Sequence, residues 1–243
     1  MNTNFLLLWF EAPLQSWGVD SKFSRRDSLH FPTKSGVTGL LLCALGASGE
    51  QKELLAELAD LRQTVVSYAR TVKTKEDKTE KLEREPFLID FHMVGSGYDD
   101  KNPWETLLIP KKSDGEKPVG AGTKMTYRYY LQDAKFAVVV EVPAELSGSF
   151  AEALQNPVYD IYLGRKNCVP TDFIYRGTFE SEVAALQKAG EISQEKGFLV
   201  EDFRVVDGEQ NDDVCAMTLN DIPVQFGENK CYRDRRITVI ENE

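Results

Sequence analysis

Hydrophobic positions along this chain fall into short blocks whose spacing alternates between the two-residue period of strands and the longer period of helices. The first block, Asn4–Phe10, is a continuous apolar run that reads as a buried strand. Polar residues with Pro13, Gly18 and Pro32 then fill Glu11–Lys34 and predict a long loop. Ser35 is the expected N-cap of a helix over Gly36–Leu45, with Gly46 as its stop. Leu54, Leu55, Leu58 and Leu61 share one face of a helix over Gln51–Leu61. Thr64–Val72 has the β-branched content of a strand, and the mixed charges of Lys73–Glu85 predict a solvated hairpin tip or loop.

Pro86–His92 reads as another strand. The segment Gly95–Gly122 is rich in Gly, Pro, Lys and Asp and too long for a simple connection, so it is expected to form a lobe of its own. Lys124–Leu131 alternates, with Met125, Tyr127, Tyr129 and Leu131 on one side and Thr126, Arg128 and Tyr130 on the other. A strand over Lys135–Val142, a helix over Leu146–Leu154 and a strand over Tyr159–Leu163 follow. Further on, Val183–Lys188 reads as helical, and Phe198–Val206, Val214–Leu219 and Ile237–Ile240 as strands. The order strand, helix, strands, helix, strand predicts an α+β, ferredoxin-like split βαβ core. Residues 1–94 and 123–243 would form this core with a β-rich C-terminal part, and residues 95–122 the inserted lobe. No internal repeat or linker interrupts the pattern.

Composition narrows the classes. Hydrophobic residues at 42% and charged residues at 28% over 243 positions are globular usage, which excludes a disordered chain. The run Asn4–Phe10 is far shorter than the ~20 residues that span a bilayer, and it lacks a basic leader, so a soluble, cytoplasmic protein without membrane contact is expected. Cys43, Cys168, Cys215 and Cys231 are scattered, and His30 and His92 are the two histidines. Neither a metal site, a disulfide framework nor a cofactor is expected from that spacing.

The net charge of −10 first argues against nucleic acid. Its distribution weakens the objection. Gln187–Glu228 holds ten carboxylates against Lys188, Lys196 and Arg204, while basic groups cluster at Lys22/Arg25/Arg26, Arg165/Lys166 and Arg233/Arg235/Arg236. An acidic chain with this distribution can present one basic face.

Four segments could carry chemistry. In Arg25–Leu45 a helix starting near Ser35 would aim free N–H groups at an anion, with Lys34, Arg25 and Arg26 adding positive charge. The same residues also fit a capped helix with solvated charges beside it. In Ile161–Pro170, Gly164 permits close backbone approach beside Arg165 and Lys166, which suits a sugar–phosphate chain or an ordinary glycine turn. In Thr126–Leu131, Tyr127 and Tyr130 beside Arg128 could stack on unpaired bases, or be half-buried strand tyrosines. In Asp90–Gly97, His92 could serve as a general base, as could His30 near Lys34, although a structural histidine is the commoner role.

Taken in order, these segments resemble the CasD subunit family of type I-E CRISPR surveillance complexes (Cascade), within the RAMP superfamily. The resemblance rests on Pro13, Gln15, Trp17 and Gly18, on FPTKSG at Phe31–Gly36 with Gly39–Leu41, on Asp90–Gly97, on TYRYYLQDAKF, and on YLGRKNC ending at Cys168. It spans roughly residues 5–176, departs at Met93, and leaves Gln187–Glu228 without a counterpart. It implies a ferredoxin-like, RRM-like palm with a thumb at Gly95–Gly122. It further implies that the protein caps the 5′ handle of a guide RNA beside a repeated backbone subunit and a large subunit, meeting target DNA only indirectly. Lys22, Arg25, Arg26, Lys34, Ser35, Tyr127, Arg128, Tyr130, Gly164, Arg165 and Lys166 become the candidate RNA contacts, and no catalytic step is implied. The alternative is a metal-independent endoribonuclease that cuts repeat RNA, with His92, His30 and Lys34 as its acid–base groups.

Overall fold

A computed structural model describes residues 2–18, 21, 24–75, 78–94, 112–116, 124–197, 199–209 and 215–241. The elements are β1 (Thr3–Glu11), β2 (Leu14–Gln15), β3 (Arg25–Arg26), α1 (Lys34–Leu45), α2 (Lys52–Ala59), β4 (Gln63–Lys73), β5 (Thr79–Lys81), β6 (Leu88–Val94) and β7 (Lys124–Gln132). They continue with β8 (Lys135–Pro143), α3 (Ala144–Gln155), β9 (Tyr175–Phe179), α4 (Glu182–Lys196), β10 (Leu199–Asp207), β11 (Cys215–Gln225) and β12 (Cys231–Glu241). The result is a mixed, sheet-rich fold with four helices among the described residues.

The main sheet runs β11-β12-β10-β4-β8-β1-β9, with β5 paired to β4, and every pairing in it is antiparallel. β1 lies between β8 and β9, which explains its unbroken apolar run. Leu6, Leu8 and Phe10 enter one core with α1 and α3, while Phe5, Leu7 and Trp9 enter a second core against Ala185, Ala189 and Ile192 of α4. A strand covered on both faces needs apolar residues at every position. A smaller sheet, β2-β7-β3 with β6 paired to β7, stands beside it. The C-terminal strands form no separate layer; they extend the main sheet beyond β4.

Several expectations are corrected. Tyr159–Leu163 is not a strand: the chain there is irregular, with Val158 N bonded to Ala44 O at 2.9 Å and Leu163 completely buried. Leu163 is the residue of this segment that enters the core, and the edge strand forms later, at β9. The N-cap of α1 is Thr33, whose side chain accepts from Gly36 N, and not Ser35; Gly46 ends the helix in the left-handed conformation as expected. The charge run Lys73–Glu85 does include the β4–β5 hairpin. Arg84, however, turns inward, donating to His30 O at 2.8 Å and to Ser67, with its guanidinium over the rings of Phe136 and Phe203. Most of the expected lobe at 95–122 lies outside the described residues, apart from a turn at 112–116.

Candidate RNA-binding groove

The loop after β1 is held by side chains that the sequence reading left without a role. Gln15, fully buried, donates to Ala134 O at 2.7 Å and accepts from Trp17 Nε1 at 3.2 Å. Trp17 stacks on Phe10 with ring centroids 5.3 Å apart. This fixes Ser16, whose N–H donates to Leu163 O at 3.1 Å and whose hydroxyl donates to Tyr129 O at 3.1 Å.

Gly164 then meets Ser16 directly. Its φ is +97°, and an added Cβ would lie 1.7 Å from Ser16 O, so no other residue fits without moving the loop. At Gly36 an added Cβ would lie 2.9 Å from both Thr33 Oγ1 and the Trp17 ring. These contacts bring Phe31–Gly36 and Tyr162–Cys168, far apart in sequence, against one another.

Between them runs a groove of about 430 Å3, whose lining includes Ser35, Gly36, Gly39, Tyr162, Gly164, Arg165 and Lys166. An adjoining cavity of about 200 Å3 shares Ser35, Gly36 and Gly164 and adds Trp17 and Tyr232. The far wall is Phe226 and Lys230, from the turn joining β11 to β12. Sequence reading missed both, since an aromatic and a lysine flanking Gly227 look like any exposed hairpin turn. Lys166 and Lys230 are exposed, and Asp160 is the groove's one lining carboxylate among the described residues. Cys43 lines it too, donating to Asp160 O at 3.5 Å; burial, with Asp160 nearby, raises its thiol pKa and keeps it protonated.

The remaining candidates are placed unequally. Lys34 does not face the groove. Its ammonium donates to Ala59 O at 2.8 Å and to Leu61 O, capping the end of α2, and burial lowers its pKa despite Asp207 at 4.0 Å. Two of the N–H groups expected to attract an external anion have internal acceptors: Lys34 N donates to Asp221 Oδ2 at 2.7 Å and Gly36 N to Thr33 Oγ1 at 3.2 Å. Asp221 also accepts two bonds from Arg235, which reaches Asp207 as well. Two aspartates of the acidic C-terminal stretch are thus internal counter-ions.

Tyr130 is completely buried, so it offers no face to a base; its ring lies under the Arg165 guanidinium at 4.7 Å. Tyr127 is 49% exposed, with the Phe91 ring 5.2 Å away. Arg128 is half-buried against Thr126 at 3.4 Å. Arg25 and Arg26 form β3, parallel to β7, and both are exposed; Arg25 pairs with Asp27 at 2.7 Å and lies over Tyr129 at 4.8 Å. Lys22 falls outside the described residues.

The acid–base set of the nuclease reading does not assemble. His92 pairs with Asp90 on β6, while His30 packs on the Phe87 ring at 4.5 Å. Desolvation, with help from Arg84, lowers the His30 pKa. Lys34 is buried at the C-terminal end of α2. No cluster of three or more His, Cys, Asp or Glu suited to a metal occurs among the described residues, and no helix there is long and apolar enough to cross a membrane.

The fold and groove define a class: an α+β protein whose glycine-walled groove, between two motif blocks, has exposed lysines on its rim. Comparison with known proteins gives the family. Residues 5–237 match the family described as CRISPR-associated protein (Cas_Cas5), and the chain belongs to that family. It is 26% identical over 181 residues to the CRISPR system Cascade subunit CasD of Escherichia coli (strain K12), covering 73% of this chain and 72% of that protein. A chain of a CRISPR RNA-guided surveillance complex superposes with a TM-score of 0.68 at 25% identity, covering 98% of this chain and 90% of that one. The crystal structure of a Cas protein superposes with a TM-score of 0.55 at 26% identity, covering 98% and 95%.

Proposed function

We propose that this protein is the subunit of a type I-E CRISPR surveillance complex that binds and caps the 5′ handle of the guide RNA, without catalysing a reaction. The observation that carries this reading is the convergence of FPTKSG and YLGRKNC on one groove with Lys166 and Lys230 at its rim. Such a groove suits an RNA backbone, whose phosphates are met by exposed cations and whose sugars approach glycine-lined walls closely. Arg25 and Arg26 extend the rim along β3, and Tyr127 offers an exposed ring on which an unpaired base can stack.

The strand order β9-β1-β8-β4, with helices after β1 and β8, supports a ferredoxin-like, RRM-like palm. In this reading residues 1–94 and 123–243 are palm and C-terminal extension, and 95–122, inserted in the chain between β6 and β7, the thumb. The repeated backbone subunit and the large subunit of the complex are the protein neighbours, and the site of action is the cytoplasm.

The deciding experiment incubates the purified chain with labelled CRISPR repeat RNA in the absence of metal, alone and with its partner subunits, on native and denaturing gels. Bound, uncut RNA is expected. Specific cleavage that disappears in His92→Ala or His30→Ala would replace this reading with an endoribonuclease.

A further inference from the structure

We propose that Arg165 is a positioning residue, which builds the RNA-binding rim by locking the Arg25–Arg26 strand and the Gly164 turn onto β7 and does not itself neutralise a phosphate. The inference rests on the RNA-binding reading above and assigns a role within it. The Arg165 Nη1 donates to Tyr129 O at 3.1 Å and Nη2 to Arg26 O at 2.7 Å. Its guanidinium lies over the buried ring of Tyr130 at 4.7 Å. Both terminal nitrogens are therefore directed at carbonyls on two different elements, and one face of the plane is covered.

The geometry matters because β3 is weak by itself. It has two residues, paired in parallel with β7 at Tyr127 and Arg128, and Tyr127 N–H donates to Ser24 O at 2.7 Å. Arg165 adds a side-chain brace to that short pairing and ties it to its own turn, where Cys168 N–H donates to Arg165 O at 2.8 Å. Exposed Arg25 and Arg26 are thereby held at a fixed distance from exposed Lys166. A planar fork sets two separate nitrogens on carbonyls of two elements while its face covers Tyr130; lysine, with one nitrogen and no planar face, does not keep both bonds and the stacking together.

That difference gives the test. Affinity for labelled repeat RNA is measured by filter binding for the full chain and its Arg165→Lys, Arg26→Ala and Lys230→Ala variants, alone and in pairs. Arg165→Lys keeps the charge but breaks the bridge, since one nitrogen can keep only one of the two bonds in place, and is expected to weaken binding about 10–150-fold, as the loss of one charge-assisted bond implies. Combining it with Arg26→Ala should cost less than the sum of the two, whereas combining it with Lys230→Ala, on the far wall that Arg165 does not brace, should be additive. Amide hydrogen exchange at Arg25–Asp27 gives a readout without RNA, and Arg165→Lys should speed exchange there while β1 and β8 stay protected.

Wild-type affinity in Arg165→Lys would overturn the proposal, since charge alone would then suffice. Additivity with Arg26→Ala, or unchanged exchange at Arg25–Asp27, would also overturn it. In each case RNA binding by the unmodified chain would still stand. Absence of salt-sensitive RNA binding by the unmodified chain, both alone and with its partner subunits, would overturn the RNA-binding reading and this inference together.

Discussion

Asp221→Ala tests whether the buried charges at the start of α1 act as one unit. Asp221 is 1% exposed and accepts three hydrogen bonds: Lys34 N at 2.7 Å, Arg235 Nε at 2.7 Å and Arg235 Nη2 at 2.9 Å. Truncation leaves two buried cations, Lys34 and Arg235, sharing Asp207 as their counter-ion, and removes the acceptor of Lys34 N. Removing one partner of a buried pair costs about 3–5 kcal/mol, most of it the charge left behind. For a chain of this size each kcal/mol lowers Tm by about 2–4 °C, so a fall of roughly 6–20 °C is expected by calorimetry or circular dichroism. The combined change Asp221→Leu with Arg235→Leu leaves Lys34 opposite Asp207 and should recover at least half of that loss. A single variant within about 3 °C of the parent would refute the reasoning, given that scale. A double variant as damaged as the sum of its parts would assign the cost to packing.

Gly164→Ala forces a Cβ into Ser16 O at a positive φ and should destabilise by about 2–5 kcal/mol through strain and lost loop hydrogen bonds, read as a lower denaturant midpoint. Tyr130→Phe should go the other way. The Tyr130 hydroxyl is buried and finds no hydrogen-bond partner among the described residues, so its removal should leave stability unchanged or raise it by about 1 kcal/mol, measured by urea unfolding. For Glu11 and Asp172, burial is the largest influence and raises the pKa, but the hydrogen bonds from Lys196, from Trp9 at Glu11 and from the Phe173 N–H at Asp172, with the nearby cations, together outweigh it, so both end below their ordinary values of 4.5 and 3.8. Their stabilisation is fully present above those values and disappears as pH falls through the folded-state ones, so Glu11→Gln should flatten the acid limb of Tm against pH.

The core was legible because its signals are local. The apolar run of β1, the β-branched β4 and β8 and the leucines of α2 each announce an element within a few residues, with ends misplaced by one or two positions. Gly164 was legible too, since a glycine beside cations predicts a close approach even without the identity of the neighbour. What failed was the step from face to environment. Alternation on β7 correctly divides Tyr127 from Tyr130, but only the tertiary fold decides that Tyr130 lies beneath Arg165. Lys34 looked like a surface cation because the carbonyls of Ala59 and Leu61 and the carboxylates of Asp207 and Asp221 arrive from elsewhere in the chain. Phe226 and Lys230 carried no signal at all, because a groove wall is defined by what stands opposite.

The bond between Lys34 N and Asp221 spans 187 residues, and this separation bears on synthesis. At about 5–20 residues per second, roughly 10–40 s pass between the emergence of Lys34 and that of its acceptor. Throughout that interval the Lys34 amide lacks its acceptor, and for most of it Asp207, the counter-ion of the lysine ammonium, is absent as well. The native surroundings of Lys34 require the chain through Asp221, so a ribosome stalled before that residue holds a nascent chain whose first helix cannot reach its final packing.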